Sequence, residues 1–209
     1  MTDPRIGALR EALQKPLPGA LAQALMAPSL RLHDSPAFTG LPSRSSAVMI
    51  LLFPASGGLS TVFIHRTQWG PHGGQISLPG GRQEPEDEDL IATAYRESAE
   101  EIGLIKEQVE TLGVLTPLYV PHSHFVIQPV VAYTGVEPLF CPDRREVESI
   151  VTTTLNHLFD PEHRASMLIR TRGVEITAPY YEAAGYRVWG ATAMIMSEFE
   201  QVVISCISG

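Results

Sequence analysis

Three glutamates lie within one turn of a predicted helix, and together they could bind a divalent metal ion. Glu97, Glu100 and Glu101 follow the glycine pair Gly80-Gly81. At about 100° per residue, their carboxylates span an arc of roughly 100° on the helix surface. Like charges at this spacing repel one another unless a cation lies among them. Carboxylate oxygens suit Mg²⁺ or Mn²⁺, so the pattern indicates a metal site.

The alternative is a solvated helix face, which is the usual role of a run of charges. Such a face would interleave lysine or arginine at i+4, and here only Arg96 is near the glutamates. We therefore favour the metal site. The adjoining arc of the same helix is apolar enough to face a core. Its residues are Leu90, Ile91, Ala94, Tyr95, Ser98 and Ile102.

The segment from Gly81 to Leu104 resembles a Nudix box, G-x5-E-x7-R-E-U-x-E-E-x-G-U, where U is apolar. The residues that match are Glu88, Arg96, Glu97, Glu100, Glu101, Gly103 and Leu104. Two positions depart from the pattern: six residues separate Gly81 from Glu88, and Ser98 occupies a position that is usually apolar. The extra residue is a habit of the coenzyme A pyrophosphatase branch of the family.

The stretch before the box also resembles coenzyme A pyrophosphatases. Its matching residues are Arg66, His72, Gly74, Gln75, Ile76, Ser77, Pro79, Gly80 and Gly81. Leu78 replaces the usual phenylalanine, and Gly70 stands where an arginine is common. Further similar segments are 115–121, 146–147 and 189–195.

The resemblance implies roles for the box residues. Glu97 and Glu101 are the first candidates for metal ligands, Glu100 shares the cluster, and the Gly81 carbonyl could add an oxygen. Arg96 completes the implied catalytic set by pairing with a box glutamate, for which Glu88 is one candidate. For Glu88 itself, a cap or salt bridge and direct metal binding both stay open.

The residues that would bind substrate or activate water are less tightly specified. Arg66 is predicted to clamp a phosphate, because a guanidinium grips phosphate in bidentate fashion. His72 and Gln75 either contact substrate or fix the loop. The base that activates water is Glu97 or Glu100. Glu146 is either a further ligand or base, or a surface residue at the start of a strand.

The pattern of apolar segments predicts an α+β fold. We expect two short helices within residues 4–26, a box helix and a closing helix over 190–203. Strands are predicted over 47–53, 59–65, 109–115, 125–133 and 147–154, with a hairpin over 173–178 and 186–189. The resemblance implies an α/β/α sandwich with a mixed sheet. The predicted division is an N-terminal helical extension and loop over 1–46 and a Nudix domain over 47–209.

Composition excludes several classes of protein. A net charge of −8 argues against a nucleic-acid partner. No apolar run is long enough to span a membrane. The two cysteines suggest neither a disulfide framework nor a zinc site. We expect a cytoplasmic protein that binds a small nucleotide substrate, and its N-terminal helices could pack against a second chain to give a homodimer.

Three functions follow, in order of preference. The first is a metal-dependent hydrolase that resembles coenzyme A pyrophosphatases and releases 4′-phosphopantetheine, or its acylated form, and adenosine 3′,5′-bisphosphate. The second keeps this chemistry but acts on ADP-ribose, NADH, another dinucleotide or a nucleoside triphosphate. The third is a Nudix module that binds a nucleotide without turnover. All the box carboxylates are present, which disfavours the third.

Overall fold

The computed structural model describes residues 4–29, 43–69, 73–121, 123–171 and 174–207. The helices are α1 (Pro4–Ala12), α2 (Gly19–Ala24), α3 (Leu90–Ile102), α4 (Leu155–Leu158) and α5 (Gly190–Ile207). The strands are β1 (Arg44–Ala55), β2 (Gly58–Arg66), β3 (Ile76–Ser77), β4 (Gly80–Arg82), β5 (Glu110–Val114), β6 (Leu118–Val120), β7 (Phe125–Tyr133), β8 (Val147–Thr154), β9 (Arg164–Thr171), β10 (Val174–Ala183) and β11 (Tyr186–Trp189). Within these ranges no helix is long and apolar enough to cross a membrane.

Strand β1 is buried on both faces and separates two hydrophobic cores. Its residues point alternately to opposite sides of the sheet. Ile50 and Leu52 belong to the core that contains Phe199 of α5. Met49 and Leu51 belong to the core that contains α3 residues such as Ile102. A strand covered on both faces needs a continuous apolar run, which is why residues 47–53 contain no charged side chain.

The main sheet is mixed and has β1 at its centre. β1 pairs with β7 in parallel and with β2 and β4 antiparallel. β8 extends the sheet beyond β2, β3 pairs with β2 on the side that faces β1, and β5 and β6 pair with β7. A separate antiparallel sheet has the order β11-β10-β9. The fold is α+β, with helices on both faces of a mixed sheet, as the sequence predicted.

Both ends of α3 are defined by local chemistry. The Asp89 side chain accepts a hydrogen bond of 2.7 Å from the Ala92 amide, which satisfies one of the free amides at the helix start. Gly103 ends the helix in the left-handed conformation with φ of 71°. Between these caps Ala94, Ser98 and Ile102 are fully buried, so the predicted core face of the helix does face the core.

The N-terminal helices pack on α5 and contribute Ile6, Leu9, Leu13, Met26 and Ala27 to one core. A buried carboxylate joins the same elements. Glu198 of α5 is fully buried and accepts hydrogen bonds from the Gly19 amide at 3.1 Å, the Gln23 side chain at 2.8 Å and the Thr116 amide at 3.2 Å. The domain boundary at residue 46 stays a prediction.

Most predicted elements are present, with several differences. β1 begins at Arg44 instead of residue 47, because residues 44–46 pair with β7. The region 116–122, predicted as a loop, contains the short strand β6, and residue 122 lies outside the described ranges. β3, β4 and β9 were not predicted as strands, and β9 is the edge strand that pairs with β10. Residue 173 of the predicted hairpin is also outside the described ranges.

We expect Glu198→Ala to lower the free energy of unfolding by about 3 kcal/mol, because it removes the acceptor of the buried Gln23 side chain and of the partly buried Gly19 and Thr116 amides. Urea unfolding measures this loss, and hydrogen exchange should show the earliest opening at Gly19 and Gln23. The exposed Glu11→Ala on α1 is the matched control and should change stability by less than about 0.5 kcal/mol. Equal effects of the two substitutions would contradict the role given to Glu198.

Candidate active site

Strand β4 and helix α3 form the two walls of the candidate site, and the Gly80-Gly81 pair leaves no side chain on β4 toward either α3 or β1. A Cβ on Gly81 would lie 2.4 Å from a carboxylate oxygen of Glu97. A Cβ on Gly80 would lie 2.3 Å from the carbonyl oxygen of Ala47, and Gly80 has φ of +147°. Gly81 therefore allows β4 to contact the glutamate face of the helix directly, and Gly80 allows β4 to lie against β1.

Glu101 is the deepest carboxylate of the site, with only 3% of the residue exposed. Its Oε2 accepts a hydrogen bond of 2.8 Å from the Gly80 amide, and its Oε1 accepts one of 3.0 Å from Arg66 Nη1. Burial raises the pKa of Glu101 from its ordinary 4.5 to about 7, even though the Gly80 amide and Arg66 act in the opposite direction. The site is thus short of positive charge around this carboxylate.

Arg66, at the end of β2, joins two carboxylates across the site. Nη1 binds Glu101, and Nη2 lies 3.4 Å from an oxygen of the exposed Glu146. The Arg66 backbone is fixed as well, since its amide donates to the carbonyl of Gln75 at 3.0 Å. The end of β2 therefore places the Arg66 guanidinium beside the glutamates of α3. Its predicted role as a phosphate clamp stays a prediction.

Arg96 pairs with Asp87, which corrects the expectation that Glu88 could be its partner. Arg96 Nε and Nη2 bind the two Asp87 oxygens at 2.9 and 3.0 Å. Asp87 also accepts from the Glu84 amide and the Thr93 hydroxyl, both at 2.9 Å. The hydrogen bonds from Arg96 hold the pKa of the Asp87 carboxyl well below its usual range.

The same contact explains the insertion in the box. Five residues separate Gly81 from Asp87, so, counted from the glycine, the aspartate takes the place at which a glutamate stands in the general pattern. Glu88 is the acidic residue that keeps the seven-residue spacing to Arg96. The spacing from Gly81 could have indicated Asp87 from the sequence alone. Glu88 was chosen instead because it is a glutamate, as the general pattern requires.

Arg96 also contacts two of the predicted metal ligands. Its Nη1 donates to Glu97 at 2.9 Å and to Glu100 at 3.3 Å. Burial raises the pKa of Glu97, partly offset by Arg96. Glu100 lies at the outer edge, with 59% of its side chain exposed. The three glutamates therefore form a gradient from the buried Glu101 to the solvent.

The structure brings together Glu97, Glu100, Glu101, Arg96 and Arg66, with the Gly81 backbone against Glu97. Gln75 is near through its backbone bond to Arg66. His72 lies outside the described residues, so its predicted contact with substrate stays a prediction. Glu146, which the sequence left open between a site residue and a surface residue, borders the cluster through Arg66.

The donor set fits a hard divalent cation. Its side chains offer only carboxylate oxygens, as Mg²⁺ and Mn²⁺ prefer. The pKa of both buried glutamates is raised, so these residues are costly to ionise until more positive charge arrives. A cation among them would supply that charge, and the roles of the individual ligands remain predictions.

We expect Asp87→Asn to reduce metal-dependent turnover at least tenfold, because Arg96 loses the anchor that orients it toward Glu97 and Glu100. Glu88→Gln, one residue away, is the matched control and should stay within threefold of the wild type. Steady-state kinetics at saturating Mg²⁺ measures both. Comparable losses in the two variants would mean that Glu88, and not only Asp87, supports the cluster.

A second prediction concerns stability in the presence of a metal chelator. Because the folded-state pKa of Glu101 is raised, the native state binds more protons than the unfolded state between pH 4.5 and about 7, and stability falls as pH rises through that interval. A shift from 4.5 to about 7 corresponds to roughly 3 kcal/mol at most. We expect Glu101→Gln to lack this part of the fall.

Urea unfolding at pH 5 and pH 8 in EDTA measures the effect. Glu100→Gln, at the exposed carboxylate, should keep the wild-type difference between the two pH values. At pH 8, addition of Mg²⁺ in excess of the EDTA should raise the free energy of unfolding of the wild type. It should not raise that of Glu101→Gln. An unchanged pH difference in Glu101→Gln would refute the burial argument for this residue.

Comparisons with known proteins agree with this geometry. A family model described as the NUDIX domain matches residues 43–168. Human mitochondrial coenzyme A diphosphatase NUDT8 is 34% identical over 158 residues, which cover 72% of this chain and 66% of that protein. The mouse protein of the same name is 32% identical over 178 residues, covering 83% of this chain and 81% of its own length.

A solved structure supports the fold over nearly the whole chain. The crystal structure of a MutT/nudix family protein from Enterococcus faecalis aligns with 98% of this chain and 76% of its own, with a TM-score of 0.53 at 19% identity. The family model covers more than half of the chain and includes every box residue. The chain therefore belongs to the Nudix family, whose hydrolases act on small nucleotide substrates and generally need a divalent metal ion.

Proposed function

We propose that the protein hydrolyses the pyrophosphate bond of coenzyme A or its acyl derivatives. The products would be 4′-phosphopantetheine, or its acylated form, and adenosine 3′,5′-bisphosphate. The observation that carries the choice of substrate is the 34% identity to a human protein named coenzyme A diphosphatase. The run from Arg66 to Gly81, which precedes the box, supports the same substrate class.

The cofactor in this proposal is Mg²⁺ or Mn²⁺, held by Glu97 and Glu101 with Glu100 and the Gly81 carbonyl at the margin of the site. Such an ion screens the phosphate charge and lowers the pKa of a bound water. The chain's own contribution is to fix the carboxylates. Glu101 is fixed by the Gly80 amide and Arg66, and Glu97 by Arg96.

The residues around the cluster divide the remaining work. Water forms a bond to one phosphorus, the bond from that phosphorus to the bridging oxygen breaks, and the second phosphate leaves with the electron pair. Glu100 is the exposed carboxylate of the three and is held by a longer bond of 3.3 Å, so we assign it the proton from the attacking water. Arg66 would bind a phosphate oxygen with the nitrogen that now contacts Glu146.

Partner and location follow from the sequence and remain predictions. The charge of −8 favours a small phosphate substrate over a nucleic acid, because local cations can neutralise the former but not a long duplex. A homodimer through the N-terminal helices and a cytoplasmic location are further expectations. The human and mouse relatives are named as mitochondrial proteins.

The test is a turnover assay with Mg²⁺ and with Mn²⁺, on coenzyme A, an acyl-coenzyme A, ADP-ribose, NADH and nucleoside triphosphates, with products identified by mass. We expect adenosine 3′,5′-bisphosphate from coenzyme A and much slower cleavage of the other compounds. Glu101→Gln should abolish turnover while the exposed Glu88→Gln should not.

Each other outcome has a distinct meaning. Preferred cleavage of ADP-ribose or NADH would keep the carboxylate site and replace the substrate. Binding of a nucleotide without turnover of any compound would favour a non-catalytic module. Full turnover by Glu101→Gln at saturating Mg²⁺ would remove Glu101 from the set of metal ligands.

A further inference from the structure

A second group of potential metal ligands lies away from the carboxylate site. His157 of α4, His163 of the 3₁₀ turn Pro161–His163 and Glu182 of β10 form what we call the His-His-Glu cluster. One ligand atom from each lies within 4.8 Å of the others, and in the described part of the chain no other set of three meets this condition.

The cluster is remote from the box glutamates. β8 runs antiparallel to β2, so that Val147 lies beside Arg66 at one end and Thr154 beside Ser60 at the other. α4 begins directly after Thr154. At about 3.3 Å per residue, the length of β8 separates the two sites by roughly 20 Å. The cluster therefore has no part in the carboxylate chemistry.

The backbone already orients two of the three ligands. The Gly185 amide donates to Glu182 Oε1, which turns Oε2 toward His157 Nε2 at 2.7 Å. His163 Nδ1 lies 3.0 Å from the His157 carbonyl oxygen. A carbonyl only accepts, so Nδ1 carries a proton, and in the neutral ring Nε2 therefore has the lone pair. Metal-binding histidines are commonly fixed in this way.

The chemistry of the donor set selects the ion. Two imidazoles and one carboxylate suit Zn²⁺, with a water in the fourth position, and not Mg²⁺, which prefers oxygen ligands. His157 and Glu182 are about one third exposed, which leaves access for both ion and water. The nearest arginine along the strand pair, Arg187, lies over the Tyr180 ring and does not occupy the carboxylate.

Zinc binding requires a defined rearrangement. With bonds of 2.0–2.1 Å, ligand atoms around a tetrahedral zinc lie about 3.3 Å apart. The His157 and His163 rings are now stacked, with centroids 3.7 Å apart and planes at 27°, so the two planes that contain their nitrogen lone pairs are nearly parallel. The rings must turn out of this stack, and the His157–Glu182 hydrogen bond must open by roughly 0.6 Å to admit the ion.

We propose that His157, His163 and Glu182 bind one Zn²⁺ ion that fastens the β10–β11 hairpin to α4 and so joins the smaller sheet to the main one. An ion pair between a protonated His157 and Glu182 would explain their contact alone. It does not use the Nε2 of His163, which in the proposal completes the ligand set. The proposal is independent of the substrate and of the carboxylate site.

The test uses the full chain, freed of metal with EDTA and dialysed into excess Mg²⁺ to fill the carboxylate site. Zn²⁺ is then titrated against a chromogenic chelator. We expect one tight site in the wild type, at least tenfold weaker binding in His163→Ala and Glu182→Gln, and wild-type binding in His124→Asn. Asparagine tolerates the positive φ of 55° at position 124, so this control preserves the backbone.

Thermal unfolding provides a second measurement, because an ion that binds only the folded chain raises its Tm. Zn²⁺ should raise the Tm of the wild type and His124→Asn but not of His163→Ala. Mg²⁺-dependent turnover, unchanged in His163→Ala and Glu182→Gln, shows that both variants are folded. Equal Zn²⁺ affinity in the wild type and both cluster variants would overturn the proposal, as would the absence of a tight site in the wild type.

Discussion

The cost of placing several carboxylates together, one of them almost fully buried, shapes the whole neighbourhood of α3. Glu101 cannot reach water, and its neighbours Glu97 and Glu100 carry the same charge. The chain offsets this repulsion with two arginines that approach from different sides. Arg66 comes from the end of β2, and Arg96 comes from the helix itself. Gly81 of β4 has no side chain to separate the sheet from the Glu97 carboxylate.

The two arginines offset the repulsion between the carboxylates only in part, and a metal-dependent hydrolase can use the remaining negative charge. A raised pKa at Glu101 means that full ionisation awaits another positive charge. In the proposed reaction that charge is the divalent ion, so the affinity for metal and the cost of the ion-free state have one origin. Arg66 is engaged in the same balance. Its bond to Glu101 is 3.0 Å, while its contact with the exposed Glu146 is 3.4 Å. A phosphate competes more readily for the second.

The parts of this arrangement that are local in sequence could be predicted. The helix and its glutamate face follow from the spacing of its residues, and β1, β7 and β8 were predicted as strands from their sequences. Asp87 was missed because the choice between two adjacent acidic residues depends on which one the Arg96 side chain can reach in three dimensions. β6 is three residues long, and its identity as a strand comes from pairing with β7.

β9 shows the same limit more strongly. Its sequence, Arg164–Thr171, alternates imperfectly between polar and apolar residues and is stabilised as a strand by β10. The His-His-Glu cluster depends on that long-range pairing, since β10 must be in register for Glu182 to meet His157 from the turn after β8. Two histidines six residues apart do not by themselves indicate a metal site in a sequence. The third member of the cluster, Glu182, lies 19 residues beyond His163 and is brought next to His157 by the pairing of the strands. The proposed ligand set therefore depends on the fold and could not be read from any one segment.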